Sequence, residues 1–201
     1  MLEVSFMSNA QRKEETYTLA DALTWDEGER IEIIEGEPVM HAAPVPQHQR
    51  AVSEFDRQLG NYLLDKKCNV YPAPFAVRLF EKKEDRPENV TTMVEPDVSV
   101  VCDDAKIDES GCKGAPDFIA EILSPSTQRH DRLTKLNLYE RAGVREYWIV
   151  DLAGRVVQKY MLEEGRFVLK EIGLPDDRLK VGILEDCEIE LSLIFPAESG
   201  K

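Results

Sequence analysis

Glu95-Pro96-Asp97-Val98-Ser99-Val100-Val101 and, after a polar gap, Asp117-Phe118-Ile119-Ala120-Glu121-Ile122-Leu123-Ser124-Pro125-Ser126-Thr127 are the two runs that decide how this chain reads. Both have the apolar and β-branched content of strands. Each also carries one carboxylate, Asp97 or Glu121, among apolar residues. Asp97 falls on the opposite face from Val98 and Val100, and Glu121 shares a face with Ile119 and Leu123. Burying an ionised carboxylate is costly unless a cation compensates, so the pair points to a metal or a charge partner.

Working outward, Asp131 to Ala142 has helical spacing and is stopped by Gly143. At about 100° per residue, Lys135 lies between Leu138, Tyr139 and Ala142 on one face, with Asp131 also there. One reading is a snorkelling lysine paired with Asp131 one turn back. The other is a cation held beside the two strand carboxylates. Arg145-Glu146-Tyr147-Trp148-Ile149-Val150-Asp151 follows as a near-continuous apolar strand, expected at the centre of a sheet covered on both sides. A helix between two such strands implies a right-handed crossover.

Toward the N-terminus, Thr18 is placed to cap a helix over Leu19 to Trp25, with Asp21 as the acidic partner. Ile31 to Met40 alternates about Glu35-Gly36, a hairpin pattern. Glu32 on its first strand reads, from spacing alone, as a solvated residue. From Gln47 to Leu64, His48, Val52, Phe55, Leu59 and Leu63 form one helical stripe, while Glu54 and Arg57 point to solvent. A lone histidine at the head of such a stripe is more often structural than a ligand. Val70 to Phe80 reads as one strand, frayed or at an edge because of Pro72 and Pro74. Val94 to Val101 is the next strand, and Asp103 to Ala115 a loop. Val156 to Leu162 and Arg166 to Ile172 form a hairpin about Glu163-Glu164-Gly165, and Ile183 to Ile194 supplies one or two short strands.

Composition narrows the class. The 201 residues contain 25 basic and 39 acidic side chains, a formal charge of −14. That argues against strong non-specific attraction to nucleic acid, without excluding a local basic surface. Residues 17–196 read as one domain and 1–16 as a loose leading segment. No apolar run has the length of a membrane helix, and Met1 to Glu15 lacks a secretory apolar core. Cys68, Cys102, Cys112 and Cys187 have no Cys-x-x-Cys pairing and read as free thiols in a reducing cytoplasm, without a zinc site. Glycine-rich phosphate loops, Gly-x-Ser-x-Gly and His-Glu-x-x-His are all absent. What remains is an Asp on one strand, a Glu on the next and a Lys on the following helix. Hard carboxylate oxygens suit Mg²⁺ or Mn²⁺ better than zinc.

These residues resemble a known family. Pro96-Asp97 followed by Glu121 and a hydrophobic pair looks like the PD-(D/E)xK nuclease superfamily, and the order of elements is similar to its core. A closer resemblance is to the Uma-two family of restriction-endonuclease-like proteins. It is carried by Ile33-Ile34-Glu35-Gly36-Glu37, His48, the two strand runs above, Lys135, Tyr139 and Gly143 to Asp151. It covers about Tyr17 to Phe195.

The resemblance implies an α/β (α+β) fold, with a restriction-endonuclease-like mixed sheet flanked by helices and extra hairpins at both ends. It implies Mg²⁺-dependent hydrolysis of a DNA phosphodiester, with Asp97, Glu121 and the carbonyl of Ile122 as metal ligands. The superfamily's lysine would fall at Leu123, so Lys135 takes its place as the third catalytic residue beside Asp97 and Glu121. Glu32, His48, Asp131 and Gln128 are accessory candidates. Ser126, Thr127, Arg129 and Arg132 are candidates for DNA phosphate contacts, or else belong to an ordinary polar loop. A cytoplasmic homodimer is expected, with DNA as partner and no membrane. Two competing readings are a nuclease-like fold serving as a binding module and a hydrolase of a small phosphorylated substrate.

Overall fold

The structure, a computed structural model, describes residues 16–25, 31–40, 43–123 and 130–195, with His130 and Asp131 described in backbone only. Of the expected loose segment over residues 1–16, residues 1–15 lie outside them. In chain order the elements are α1 (Leu19–Ala22), β1 (Ile31–Ile34), β2 (Glu37–Met40), α2 (Pro46–Leu63), β3 (Asn69–Pro72), β4 (Val77–Arg78), β5 (Val98–Val101), β6 (Ile107–Asp108), β7 (Gly111–Lys113) and β8 (Phe118–Leu123). They continue with α3 (His130–Ala142), β9 (Glu146–Asp151), β10 (Val156–Glu163), β11 (Arg166–Gly173), β12 (Arg178–Lys180), β13 (Glu188–Glu190) and α4 (Leu191–Ile194).

Six strands form the main sheet, in the order β11-β10-β9-β8-β5-β3. β8 and β9 run parallel, as a crossover through α3 requires, and the other neighbours are antiparallel. The period of two along each strand gives the sheet two unlike faces. Val98, Val100, Phe118, Ala120, Ile122, Trp148 and Val150 pack under the buried stripe of α2 and against the β12–β13 ribbon with α4. His48, Val52, Phe55, Leu59 and Leu63 are all buried on α2, as the helical spacing requires. The opposite face carries Val101, Ile119, Leu123, Tyr147 and Ile149, covered by Leu138 and Tyr139 of α3 and bordered by the β1–β2 hairpin.

Local chemistry accounts for several boundaries. Glu35 and Gly36 both have positive φ, 53° and 87°, the geometry of a two-residue hairpin turn. A side chain at Gly36 would collide with Thr16, so both conformation and space demand glycine there. Gly143 at φ 86° ends α3, and the N–H groups of Gly143 and Val144 both reach the Tyr139 carbonyl. The Asp21 carboxylate accepts the Thr18 N–H at 2.7 Å, but α1 ends at Ala22, short of the expected Trp25.

Other expectations are corrected. Val70 to Phe80 is two strands: β3 ends at Pro72 on the sheet edge, where a missing N–H is harmless, and β4 joins a separate three-stranded sheet with β7 and β6. Its β6 and β7 lie in the segment read as a loop. It is held by Arg78, buried and ion-paired to Glu81 and Asp108. Leu191–Ile194 is a helical turn rather than strand, because Leu191 and Ile194 bury toward α2. The cysteine expectation also fails: Cys68 and Cys102 are disulfide-bonded, while Cys112 and Cys187 are free and buried. The β3–β5 register pairs Asn69 with Val101, and one step further it opposes Cys68 and Cys102. Among the described residues no helix is long and apolar enough to cross a membrane.

Glu146, fully buried on the α2 side, went unremarked in the sequence. Its carboxylate accepts the Trp148 indole N–H and the Ile183 N–H, both at 2.8 Å, and so ties the sheet to the C-terminal ribbon. Glu146→Ala leaves both donors buried without an acceptor and is expected to cost about 2–5 kcal/mol in urea unfolding. Glu163→Ala, at the exposed hairpin tip, should change stability by less than about 0.5 kcal/mol.

Candidate functional site

The site begins with strand register. In the antiparallel pair β5–β8, Val98 lies opposite Ala120, so the next step opposes Asp97 to Glu121 on the face away from α2. Directly opposed side chains in such a pair have Cβ atoms about 4.5–5.5 Å apart. Asp97 Oδ2 accepts the Ile122 N–H at 2.8 Å. In a strand the N–H and C=O of one residue point to the same neighbour, so the Ile122 carbonyl also faces the Asp97 side.

Three other elements converge here. Lys135 of α3 places Nζ 2.9 Å from Glu121 Oε1 and 3.0 Å from Glu32 Oε1. Its side chain is only 9% exposed, so it does not snorkel. The expected pairing with Asp131 falls on a side chain outside those described. Tyr139, one turn later on α3, donates its hydroxyl to Glu121 Oε1 at 2.6 Å. Glu32 also accepts the Glu95 N–H at 2.8 Å. Reading Glu32 as a solvated strand residue was wrong: it is 1% exposed. The cause is tertiary, since paired bonds between Ile33 and Met93 dock the hairpin beside the chain entering β5. His48, in the first turn of α2, sets Nε2 3.1 Å from Asp97 Oδ2.

Electrostatics follow from two carboxyl groups, Glu121 and Glu32, sharing one ammonium in a buried space with Asp97 near by. Burial opposes charge on Lys135, but Glu121 and Glu32 outweigh it and hold its pKa well above the ordinary lysine value. Burial pushes Glu121 up most; Lys135 pulls back, Asp97 and Glu32 add to the rise, and its pKa stands at about 7. Burial also keeps the Tyr139 phenol protonated, with Glu121 adding to the effect. On His48, burial lowers the pKa, but the hydrogen bond and charge of Asp97 win and leave it raised.

Among the described residues no three His, Cys, Asp or Glu side chains form a cage for a metal. The donors that meet are oxygens: the carboxylates of Asp97 and Glu121 and the backbone of Ile122. That set fits Mg²⁺, which keeps several waters and takes one or two protein carboxylates. A buried acid whose pKa is raised by burial and like charges is a place where a cation would relieve the strain.

Arg132, half-buried, is turned to the Gln158 side chain of β10. Ser126, Thr127, Gln128 and Arg129 lie outside the described residues. Sequence reasoning underrated Tyr139, whose place four residues after Lys135 on one helix face was the available signal. Nothing local in the sequence marked the burial of Glu32 or the contact of His48 with Asp97.

The architecture is a restriction-endonuclease-like nuclease fold. It is similar to the structure titled "Crystal structure of a putative nuclease belonging to DUF820 from Anabaena variabilis ATCC 29413", with a TM-score of 0.69 and 19% identity, covering 89% of this chain and 97% of that one. The chain belongs to the Uma2 family, described as "Putative restriction endonuclease", which it matches over residues 15–193. No curated protein matches it.

The Glu121 shift has a definite sign. Its folded pKa, about 7, lies above the ordinary value of 4.5, so the fold favours the protonated acid. In metal-free protein the resulting stability is complete below pH 4.5 and is lost as pH rises through about 7. Thermal unfolding across that range should show the decline in wild type, and Glu121→Gln should flatten it.

Proposed function

We propose that this chain is a Mg²⁺- or Mn²⁺-dependent endonuclease that hydrolyses phosphodiester bonds of DNA. The observation that carries the reading is the meeting of Asp97, bonded to the Ile122 N–H at 2.8 Å, with the neighbouring Glu121, whose carboxylate lies 2.9 Å from the Lys135 ammonium. The Uma2 family description supports the nuclease class. Asp97, Glu121 and the Ile122 carbonyl would hold the cation. When bound, it supplies a Lewis acid for the phosphoryl oxygen and a more acidic water.

Lys135 acts as a charged donor rather than a base, because its two carboxylate partners keep the proton on it. It orients the attacking water and meets negative charge developing on the phosphoryl oxygens. Glu32 fixes the ammonium from the second side. Leu123, where the superfamily's lysine would stand, is buried and apolar, and Lys135 supplies the missing charge from α3.

Cleavage of duplex DNA with Mg²⁺ or Mn²⁺, followed on gels, tests the assignment. Lys135→Met is expected to lower the rate by about 10²–10³-fold while keeping the fold and much of the Mn²⁺ binding. Asp97→Ala should lose both. Normal cleavage by Lys135→Met would move the lysine's role elsewhere.

A second reading, a nuclease fold used as a binding module, is favoured by the charge of −14 and by Leu123 standing where the superfamily's lysine would be. Wild-type protein that binds duplex but leaves it intact with either cation would select it. Cleavage of a mononucleotide but not of duplex would select a small phosphorylated substrate.

The basic residues Arg129 and Arg132, which follow β8 in the sequence, are the candidates for contacts with DNA phosphates. Each phosphate contact adds about 0.9 to the log–log slope of affinity against salt. Arg129→Ala combined with Arg132→Ala should therefore weaken duplex binding and flatten that slope, leaving Mn²⁺ affinity unchanged. Unaltered affinity and slope would remove both residues as candidates.

A further inference from the structure

Each carboxylate of the site is held by one oxygen. Asp97 Oδ2 takes the Ile122 N–H at 2.8 Å and faces His48 Nε2 at 3.1 Å. Glu121 Oε1 takes Lys135 at 2.9 Å and the Tyr139 hydroxyl at 2.6 Å. Among the described residues, Asp97 Oδ1 and Glu121 Oε2 receive no hydrogen bond. All the restraint falls on one oxygen of each pair.

The groups that impose it have little else to do. Tyr139 is fully buried, has one hydroxyl proton and gives it to Glu121. Its ring meets Tyr147 of β9 edge-on at 5.1 Å, which fixes where the hydroxyl points. His48 is 92% buried, and its Nδ1 meets no partner in hydrogen-bond geometry. Its directed side-chain contact is with Asp97, through Nε2 at 3.1 Å, and the Ile122 backbone and Glu121 add to the raising of its pKa.

We propose that His48 and Tyr139 are positioning residues: they pin Oδ2 of Asp97 and Oε1 of Glu121, so that Oδ1 and Oε2 are the oxygens turned toward the divalent cation. This rests on the cation reading above. It adds which oxygens serve and what selects them. It also predicts a preference among cations, because Mg²⁺ requires near-ideal octahedral geometry whereas Ca²⁺ accepts a loose one. Carboxylates free to swing should lose Mg²⁺ more than Ca²⁺.

Calorimetric titration of the full chain with Mg²⁺ and with Ca²⁺ tests this in wild type, Tyr139→Phe, His48→Leu and His48→Gln, with thermal unfolding as the check on folding. Tyr139→Phe and His48→Leu should each weaken Mg²⁺ binding by about 10–100-fold and Ca²⁺ binding by less. His48→Gln, which keeps an N–H within reach of Asp97, should recover most of the loss. Should His48→Leu fail to fold, Tyr139→Phe, which removes a single oxygen atom, carries the comparison. Unchanged Mg²⁺ affinity in the two variants, or equal losses for both cations, overturns the positioning roles and leaves the cation site standing. Failure of wild type to bind either cation removes the cation reading, and this proposal with it.

Discussion

A single buried ammonium holds this molecule's polar centre together. Lys135 Nζ lies within 3.0 Å of both Glu121 and Glu32, and all three side chains are buried. An uncompensated buried carboxylate costs several kcal/mol, and the ammonium offsets part of that cost for both acids. The three residues come from α3, β8 and the β1–β2 hairpin. The contact therefore fixes where the helix crosses the end of the strand and where the hairpin docks. Asp97 joins from just before β5, where its Oδ2 accepts the Ile122 N–H at 2.8 Å and faces His48 Nε2.

Buried acids in this fold are satisfied in two different ways. Glu146, on the α2 side of the sheet, is met by the Trp148 indole and the Ile183 amide, which are neutral donors. Nothing there calls for a ligand, and the residue acts as a tie between sheet and ribbon. Glu121 instead has Asp97 and Glu32 among the charges that raise its pKa and one lysine to offset them. Like charges gathered around a shared cation leave a deficit of positive charge. Glu146 has no such crowding of like charge, and that difference, not burial, is what sets the two acids apart.

The disulfide follows the same logic of register. Cys68 and Cys102 are far apart in sequence and share no motif, yet the β3–β5 ladder brings them face to face at its end. Cys112 and Cys187 are more deeply buried but lie in different packing clusters, and both remain thiols.

By itself, the sequence determined the elements whose pattern is local. The α2 stripe, the Glu35-Gly36 turn, the Gly143 stop and the apolar strands β8 and β9 are set by helical or two-residue periodicity and by glycine's access to positive φ. Asp97, Glu121 and Lys135 were legible because a charge inside an apolar pattern is conspicuous one residue at a time. Tertiary structure alone decided who meets whom. Glu32 and a solvated strand glutamate look identical in sequence, and only the bonds between Ile33 and Met93 bury one of them. Val70 to Phe80 has the composition of one strand, yet its two halves pair in different sheets. His48 reached Asp97, and Tyr139 reached Glu121, through the packing of whole helices on the sheet. Those contacts depend on register and docking, which many distant side chains set together and no short stretch encodes.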